Sequence, residues 1–151
     1  EKREERTTEG GLKVKENHNN LKKFIFPIKS QGIRISLFIE PDMKQIKAAE
    51  EVGADIVELH TGHFCDLFEK SMIKEYKNYL RKLEEASKYA SSLGLEVHAG
   101  HGLTVNSVKY LREIPEIKEL NIGHSIISDS IVLGLAGAVE RMKKAINVGR
   151  G

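Results

Sequence analysis

Four short apolar runs divide a chain whose other segments repeat with helical periods. IRISLFI at 33–39 and DIVELH at 55–60 are rich in β-branched residues and have strand length. LEVHA at 95–99 and ELNI at 119–122 are the third and fourth such runs. Helical patterns fill the spaces between them. Pro41 and Asp42 open a predicted helix over 42–52, with Met43, Ile46, Ala49 and Val52 on its buried side and Gly53 ending it. A long helix is predicted over 67–92, burying Ile73, Tyr76, Leu80, Leu83, Ala86 and Ala90. Its opposite face carries Lys74, Lys77, Arg81, Lys82, Glu84 and Glu85 and reads as a solvated surface, and Gly94 stops it. Thr104 is placed to cap a helix running to Arg112, with Val108 and Leu111 buried. Ser128 and Asp129 are good capping residues for a last helix that stops before Gly149. Ahead of the first strand, residues 17–30 suit a short helix with Leu21, Phe24, Ile25 and Ile28 on one side, shortened or kinked by Pro27.

Short apolar strands alternating with amphipathic helices predict a parallel α/β sheet covered by helices. The spacing between strands leaves no room for hairpins, so right-handed crossovers set the four strands side by side in chain order. That is half of a (β/α)₈ TIM barrel or a small open sheet. Closing a barrel takes about 200 to 250 residues or more, and this chain has 151. Four strands alone leave two open sheet edges, which invite pairing with another chain.

Composition narrows the function classes. The balance of 24 basic and 22 acidic residues leaves a formal charge of +2, too small to argue for nucleic acid or an anionic membrane as partner. The single cysteine, Cys65, excludes an internal disulfide and fits a reducing compartment. No apolar run approaches a membrane span, and EKREERTTEGG at the start has no apolar signal region. A cytoplasmic location is the expectation.

The candidate chemistry sits at the carboxyl ends of the strands, where α/β sheets put their ligands. These ends supply Glu40, then Glu58-Leu59-His60-Thr61-Gly62, then His98 and Gly100-His101-Gly102, then Gly123-His124. One Gly-His turn alone is most simply a surface loop or a helix cap. Two of them after neighbouring strands look like two walls of one site. Each precedes a helix, whose first amides are unpaired and suit a phosphate. Alternation puts Glu58 and His60 on one face of their strand, and a carboxylate there is either paired structurally or used in chemistry. Glu58, His60, His98, His101 and His124 could also ligate a metal, although no HxH or HExxH spacing supports it. Residues 1–16, including Thr7, read from their composition as a loop or tail.

TTEGGL, then ELHTG, AGHGLT and ELNIGH in this order resemble the pyridoxine 5′-phosphate synthase family of vitamin B6 biosynthesis, over nearly the whole chain. The resemblance implies a (β/α)₈ barrel of which this chain carries the last four βα units, strands five to eight. Residues 1–16 become an active-site loop, 17–30 a helix and 33–151 the four units, together the C-terminal part of one domain. It implies condensation of 1-deoxy-D-xylulose 5-phosphate with 3-amino-2-oxopropyl phosphate, with no metal and no cofactor. The partners implied are phosphorylated small molecules, and the assembly a homo-oligomer, an octamer in the family. His101 matches the family's general acid/base and Glu58 a glutamate that stabilises the transition state. Gly102, Gly123 and His124 match contacts to the amino-oxopropyl phosphate, and Thr7 a contact to the deoxyxylulose phosphate. The family's N-terminal half brings a further catalytic histidine and glutamate that have no counterpart in these residues. One departure is His98, where asparagine is expected in many relatives; its role, like those of His60 and His63, stays open. The alternatives are a metal-assisted sugar-phosphate isomerase or aldolase on the same fold, and a non-catalytic phosphate-binding fragment.

Overall fold

The computed structural model describes residues 10–147. A first helix, α1 (His18–Lys29), precedes β1 (Ser36–Ile39) and α2 (Met43–Glu51). Next come β2 (Ile56–His60), α3 (Gly62–Glu69) and α4 (Ile73–Ser92). The chain then runs through β3 (Glu96–Gly100), α5 (Val108–Leu111), β4 (Ile117–Asn121) and α6 (His124–Asn147). The four strands form one sheet in the order β1-β2-β3-β4, every pair parallel. The predicted alternation and strand order are therefore both found.

Register explains which residues face the helices and which the concave face. Leu37 pairs with Val57 and Val57 with Val97, and Ile39, Leu59 and Ala99 repeat the pattern one layer higher. All six are buried in the main apolar cluster with Ile46, Leu83, Ala86 and Leu111 from the helices. The alternate positions form the other face: Phe38, Glu58, His98 and Glu119 in one layer, His60, Gly100 and Asn121 in the next. A bulge after Val97 shifts the β3–β4 register and turns Lys118 out of step, so that Ile117 and Leu120 both reach the apolar side.

Local signals account for the ends of α2 and for the stop of α4. The Asp42 carboxylate accepts hydrogen bonds from the amides of Lys44 (2.8 Å) and Gln45 (3.1 Å), capping α2. Gly53 and Gly94 take left-handed backbone angles after α2 and α4, as the glycine positions led one to expect. Lys29 Nζ bonds Asp55 (2.8 Å), whose second oxygen accepts from the amide of Ile35 (2.8 Å), tying α1 to the starts of β1 and β2.

Several expectations need correction. The helix predicted over 67–92 is two helices, α3 beginning as early as Gly62. Ser71 breaks them with a φ of 55°, and the amide of Met72 turns back to the carbonyl of Leu67. The break is held by packing: Phe64 and Phe68 of α3 meet Tyr76 of α4 and Tyr110 of α5 edge-on. The last helix starts at His124, not at Ser128-Asp129, and is interrupted at Gly134, whose φ of 70° and ψ of 156° are outside helical geometry. Asp129 binds Arg141 across that interruption, 3.2 Å away, instead of capping. Met43 and Ile73 were expected on buried faces and are exposed, each being the first residue of its helix, and of the apolar residues grouped on one side of α1 Ile25 is buried while Phe24 is exposed. Ala48 takes the buried place on α2 that Met43 was given. The helix after Thr104 is shortened to α5, with Val108 and Leu111 fully buried as expected. No helix of the described residues is long and apolar enough to cross a membrane.

Candidate active site

The β2 and β3 ends build the centre of the site. β3 closes on Gly100, and the next residue, His101, adopts a φ of 79°. A non-glycine residue in the left-handed region costs on the order of 1–3 kcal/mol and persists only where its surroundings over-determine it. Gly102 follows with a φ of 76°, and a Cβ there would stand 3.2 Å from Cβ of Cys65. The turn thus needs glycine after the histidine both for its backbone angle and for close packing on α3.

The His101 ring stacks on His60, with centroids 4.7 Å apart and planes 28° from parallel. Phe38 of β1 stands edge-on to His60 at 5.1 Å. Nδ1 of His60 is 3.3 Å from a carboxylate oxygen of Glu40, so three strand ends contribute to one aromatic and acidic cluster. His60 is buried, whereas His101 is half-buried.

Glu58 reaches the same region from the layer below. One carboxylate oxygen accepts a hydrogen bond from Nδ2 of Asn121 at 2.8 Å. The other lies against the bare α-carbon of Gly100, in space that any Cβ would take. Glu58 is held by the neutral amide of Asn121, beside the residue that precedes His101.

The buried Thr61 fixes the two loops to each other. Its Oγ1 lies 2.7 Å from the carbonyl of Gly100 and 2.6 Å from that of His101. Beneath it, Cys65 packs with Sγ 3.8 Å from the His101 carbonyl, and burial pushes its thiol up to about 12.

The second Gly-His turn stands at the end of β4. Gly123 and His124 are exposed, and a Cβ at Gly123 would meet nothing. Oγ of Ser125 donates to the carbonyl of Leu103 (2.7 Å), so the turn after β4 leans on the loop after β3. His124 lines a cavity of about 760 Å³ together with Thr104, Asn106, Asp129 and Arg141. Glu58 and His101 both adjoin Gly100, with Gly102 next in the chain, whereas Gly123-His124 stand at the end of the neighbouring strand, β4, and the cavity that His124 lines includes none of Glu58, His101 and Gly102. Thr7 lies outside the described residues. Gly11 presses on the backbone at Ile39 and Glu40, and the Leu12 amide bonds the Phe38 carbonyl (2.8 Å), so the segment from Gly11 onward runs along the end of β1.

His98 stands in the layer below. It donates to Glu96 at 2.8 Å, with Glu119 3.7 Å from its other nitrogen. That hydrogen bond, with Arg34 beside it, holds the Glu96 carboxyl below the usual range. Among the described residues, no three His, Cys, Asp or Glu side chains are grouped as metal ligands would be, so the five residues weighed as a metal site are not gathered into one.

Thr61 and Asn121 were not singled out from the sequence. Both sit inside the quoted motifs ELHTG and ELNIGH. The signal for Asn121 is its inward position two residues after Glu119 on a strand of period two. The signal for Thr61 is weaker, because a threonine before a helix reads as a cap, and here its hydroxyl makes no capping bond.

The family model described as pyridoxal phosphate biosynthesis protein PdxJ matches residues 1–148. A protein named pyridoxine 5′-phosphate synthase from Sulfurihydrogenibium sp. (strain YO3AOP1) is 53% identical over 146 residues, 97% of this chain and 58% of that relative. The protein of the same name from Coxiella burnetii (strain RSA 493 / Nine Mile phase I) is 50% identical over 97% of this chain and 60% of its own length. The one from Cereibacter sphaeroides (strain ATCC 17029 / ATH 2.4.9) is 46% identical over 99% and 60%. The chain spans about three fifths of the length of the curated relatives it matches. With a family match over almost every residue and four consecutive parallel βα units, the chain belongs to the PdxJ family of pyridoxal phosphate biosynthesis proteins.

Proposed function

We propose that this protein works as a pyridoxine 5′-phosphate synthase, condensing 1-deoxy-D-xylulose 5-phosphate with 3-amino-2-oxopropyl phosphate and releasing phosphate and water. The four βα units are then strands five to eight of a closed (β/α)₈ barrel. The observation that carries the reading is His101, held in a disfavoured backbone conformation at a strand's carboxyl end with Glu58 set beside it over Gly100.

Ring closure requires amine condensation, dehydration, loss of phosphate and several proton transfers. An imidazole that titrates near neutral pH both gives and takes those protons. Glu58, hydrogen-bonded by the Asn121 amide, supplies negative charge where the condensing amine and carbonyl carbon become electron-poor. Two anionic substrates need donors. In this reading the backbone amides at Gly102, Gly123 and His124, after β3 and β4, hold the phosphate of the amino-oxopropyl substrate. Thr7 serves the deoxyxylulose phosphate from its loop. No metal or organic cofactor enters this scheme. The assembly is a cytoplasmic homo-oligomer, with phosphorylated small molecules as its partners.

The test is His101→Asn in the full-length protein. The amide keeps a polar group of similar reach but has no ring nitrogen to take up and release a proton. Turnover is expected to fall about a hundredfold or more, with Michaelis constants nearly unchanged. Kept turnover with raised Michaelis constants would remove His101 from proton transfer and leave it as a phosphate ligand.

A further inference from the structure

We infer that Thr61 is a positioning residue that sets the direction of the His101 ring through the two peptide planes flanking it, an inference that rests on the reading of His101 as the acid/base. The geometry begins with the ladder. Thr61 lies one residue past the end of β2, and its amide still bonds the Gly100 carbonyl at 2.9 Å. Its hydroxyl then takes a second hold on that carbonyl, 2.7 Å away, and on the next one, His101's own, 2.6 Å away. One hydroxyl proton is shared between two acceptors.

Those two carbonyls are the ones that matter for a side chain's direction. The Gly100 carbonyl belongs to the peptide plane before the His101 α-carbon, and the His101 carbonyl to the plane after it. Rotation between the first plane and the α-carbon is φ, and between the α-carbon and the second plane ψ. A donor holding both planes therefore fixes both angles, and with them the Cα–Cβ direction. His101 needs such a hold because its φ of 79° is a conformation an L-residue leaves when free to do so. Thr61 is fully buried, so water does not compete for these bonds.

Two further facts set this apart from an ordinary loop hydrogen bond. Threonine directly before a helix normally caps it, and Thr61 precedes α3, yet its hydroxyl makes no capping bond. The helix end forgoes this hydroxyl as an acceptor for its free amides, while the His101 turn receives it as a donor. The next residue completes the seat: a Cβ at Gly62 would come within 2.8 Å of Cδ2 of His101 and of Cε1 of His60. The His101 ring thus rests beside a bare α-carbon and against the His60 ring, with its backbone clamped by Thr61.

The experiment compares Thr61→Val and Thr61→Ser in the full-length protein, each also on a His101→Asn background. Thr61→Val is expected to lower turnover about ten- to a hundredfold, as displacement of a catalytic group by a fraction of its length does, with Michaelis constants nearly unchanged. Thr61→Ser restores the hydroxyl and should keep most of the turnover. On the His101→Asn background Thr61→Val should cost nothing further, because its effect passes through the imidazole. Wild-type turnover in Thr61→Val overturns the inference. So does equal loss in the valine and serine variants, or the same fold loss on both backgrounds, which marks a purely structural role. If Thr61→Val does not fold, Thr61→Ala carries the same comparison with the same outcomes. Should His101→Asn itself keep full turnover, the acid/base reading fails separately. The seat is then decided by the imidazole resonances of His101 in ¹³C-labelled protein: shifted in valine and restored in serine supports it, unmoved in valine overturns it.

Discussion

Asn121 on β4 donates to Glu58 on β2 at 2.8 Å, across the strand that lies between them. The contact passes over Gly100 of β3, the one position in that layer with no side chain in the way. Three adjacent strands thereby hold one carboxylate beside His101.

Gly100→Ala is expected to break this arrangement without changing any of the polar groups. A methyl there would displace the Glu58 carboxylate and stand 2.9 Å from the Asn121 carbonyl. Overpacking of this kind costs about 1–3 kcal/mol, readable as a lower denaturant midpoint, and turnover should fall with it. An alanine variant with the stability and activity of the parent would show that the carboxylate sits elsewhere in solution.

Asp55 makes stability depend on acid pH. Its hydrogen bond with Lys29, with help from the Ile35 amide, holds its carboxyl below the ordinary value of 3.8. The folded state thus prefers the ionised form more than the unfolded chain does. Its stabilisation is complete above that value and is lost as pH falls through the lower folded one. Thermal melts of Asp55→Asn should therefore be less stable than the parent at neutral pH and converge on it as the solution is acidified below about pH 4. Parallel pH profiles for the two proteins would rule this out.

Cys65 should resist modification in the folded protein. It is 4% exposed, and its thiol is pushed up to about 12, so little thiolate exists at pH 8. Ellman's reagent should label it slowly in buffer and at once in guanidinium chloride. Rapid labelling without denaturant would mean that α3 opens readily from the His101 loop.

The 151-residue polypeptide by itself is expected to associate. Ile131 and Val132 of α6 are 85% and 86% exposed, and β1 and β4 are the edges of the sheet. Open edges and apolar helix faces recruit other chains. Light scattering should report species larger than the 17.0 kDa monomer, reduced by Ile131→Lys with Val132→Lys. A monodisperse monomer that unfolds cooperatively would contradict this.

The sequence by itself determined the order and kind of the elements. Period-two apolar runs and helical periods are local properties, and with right-handed crossovers they leave one arrangement of four parallel strands. Glycine marked the ends of α2 and α4 because only a left-handed residue closes a helix that way, and the Gly-His-Gly sequence marked the turn that carries His101. Tertiary structure alone decided what packing selects between locally equivalent choices. No glycine or proline announces the break at Ser71, which the Phe64, Phe68, Tyr76 and Tyr110 rings impose. Nothing near Ser128 says that its helix begins four residues earlier, at His124. The partners of the site residues were equally out of reach. Glu58 and Asn121 are 63 positions apart, and Thr61 reaches His101 across 40, so each meets its partner only after the strands align in register. Residue types at strand ends are written locally, whereas the hydrogen bonds that orient them are made between strands and exist only once the sheet has formed.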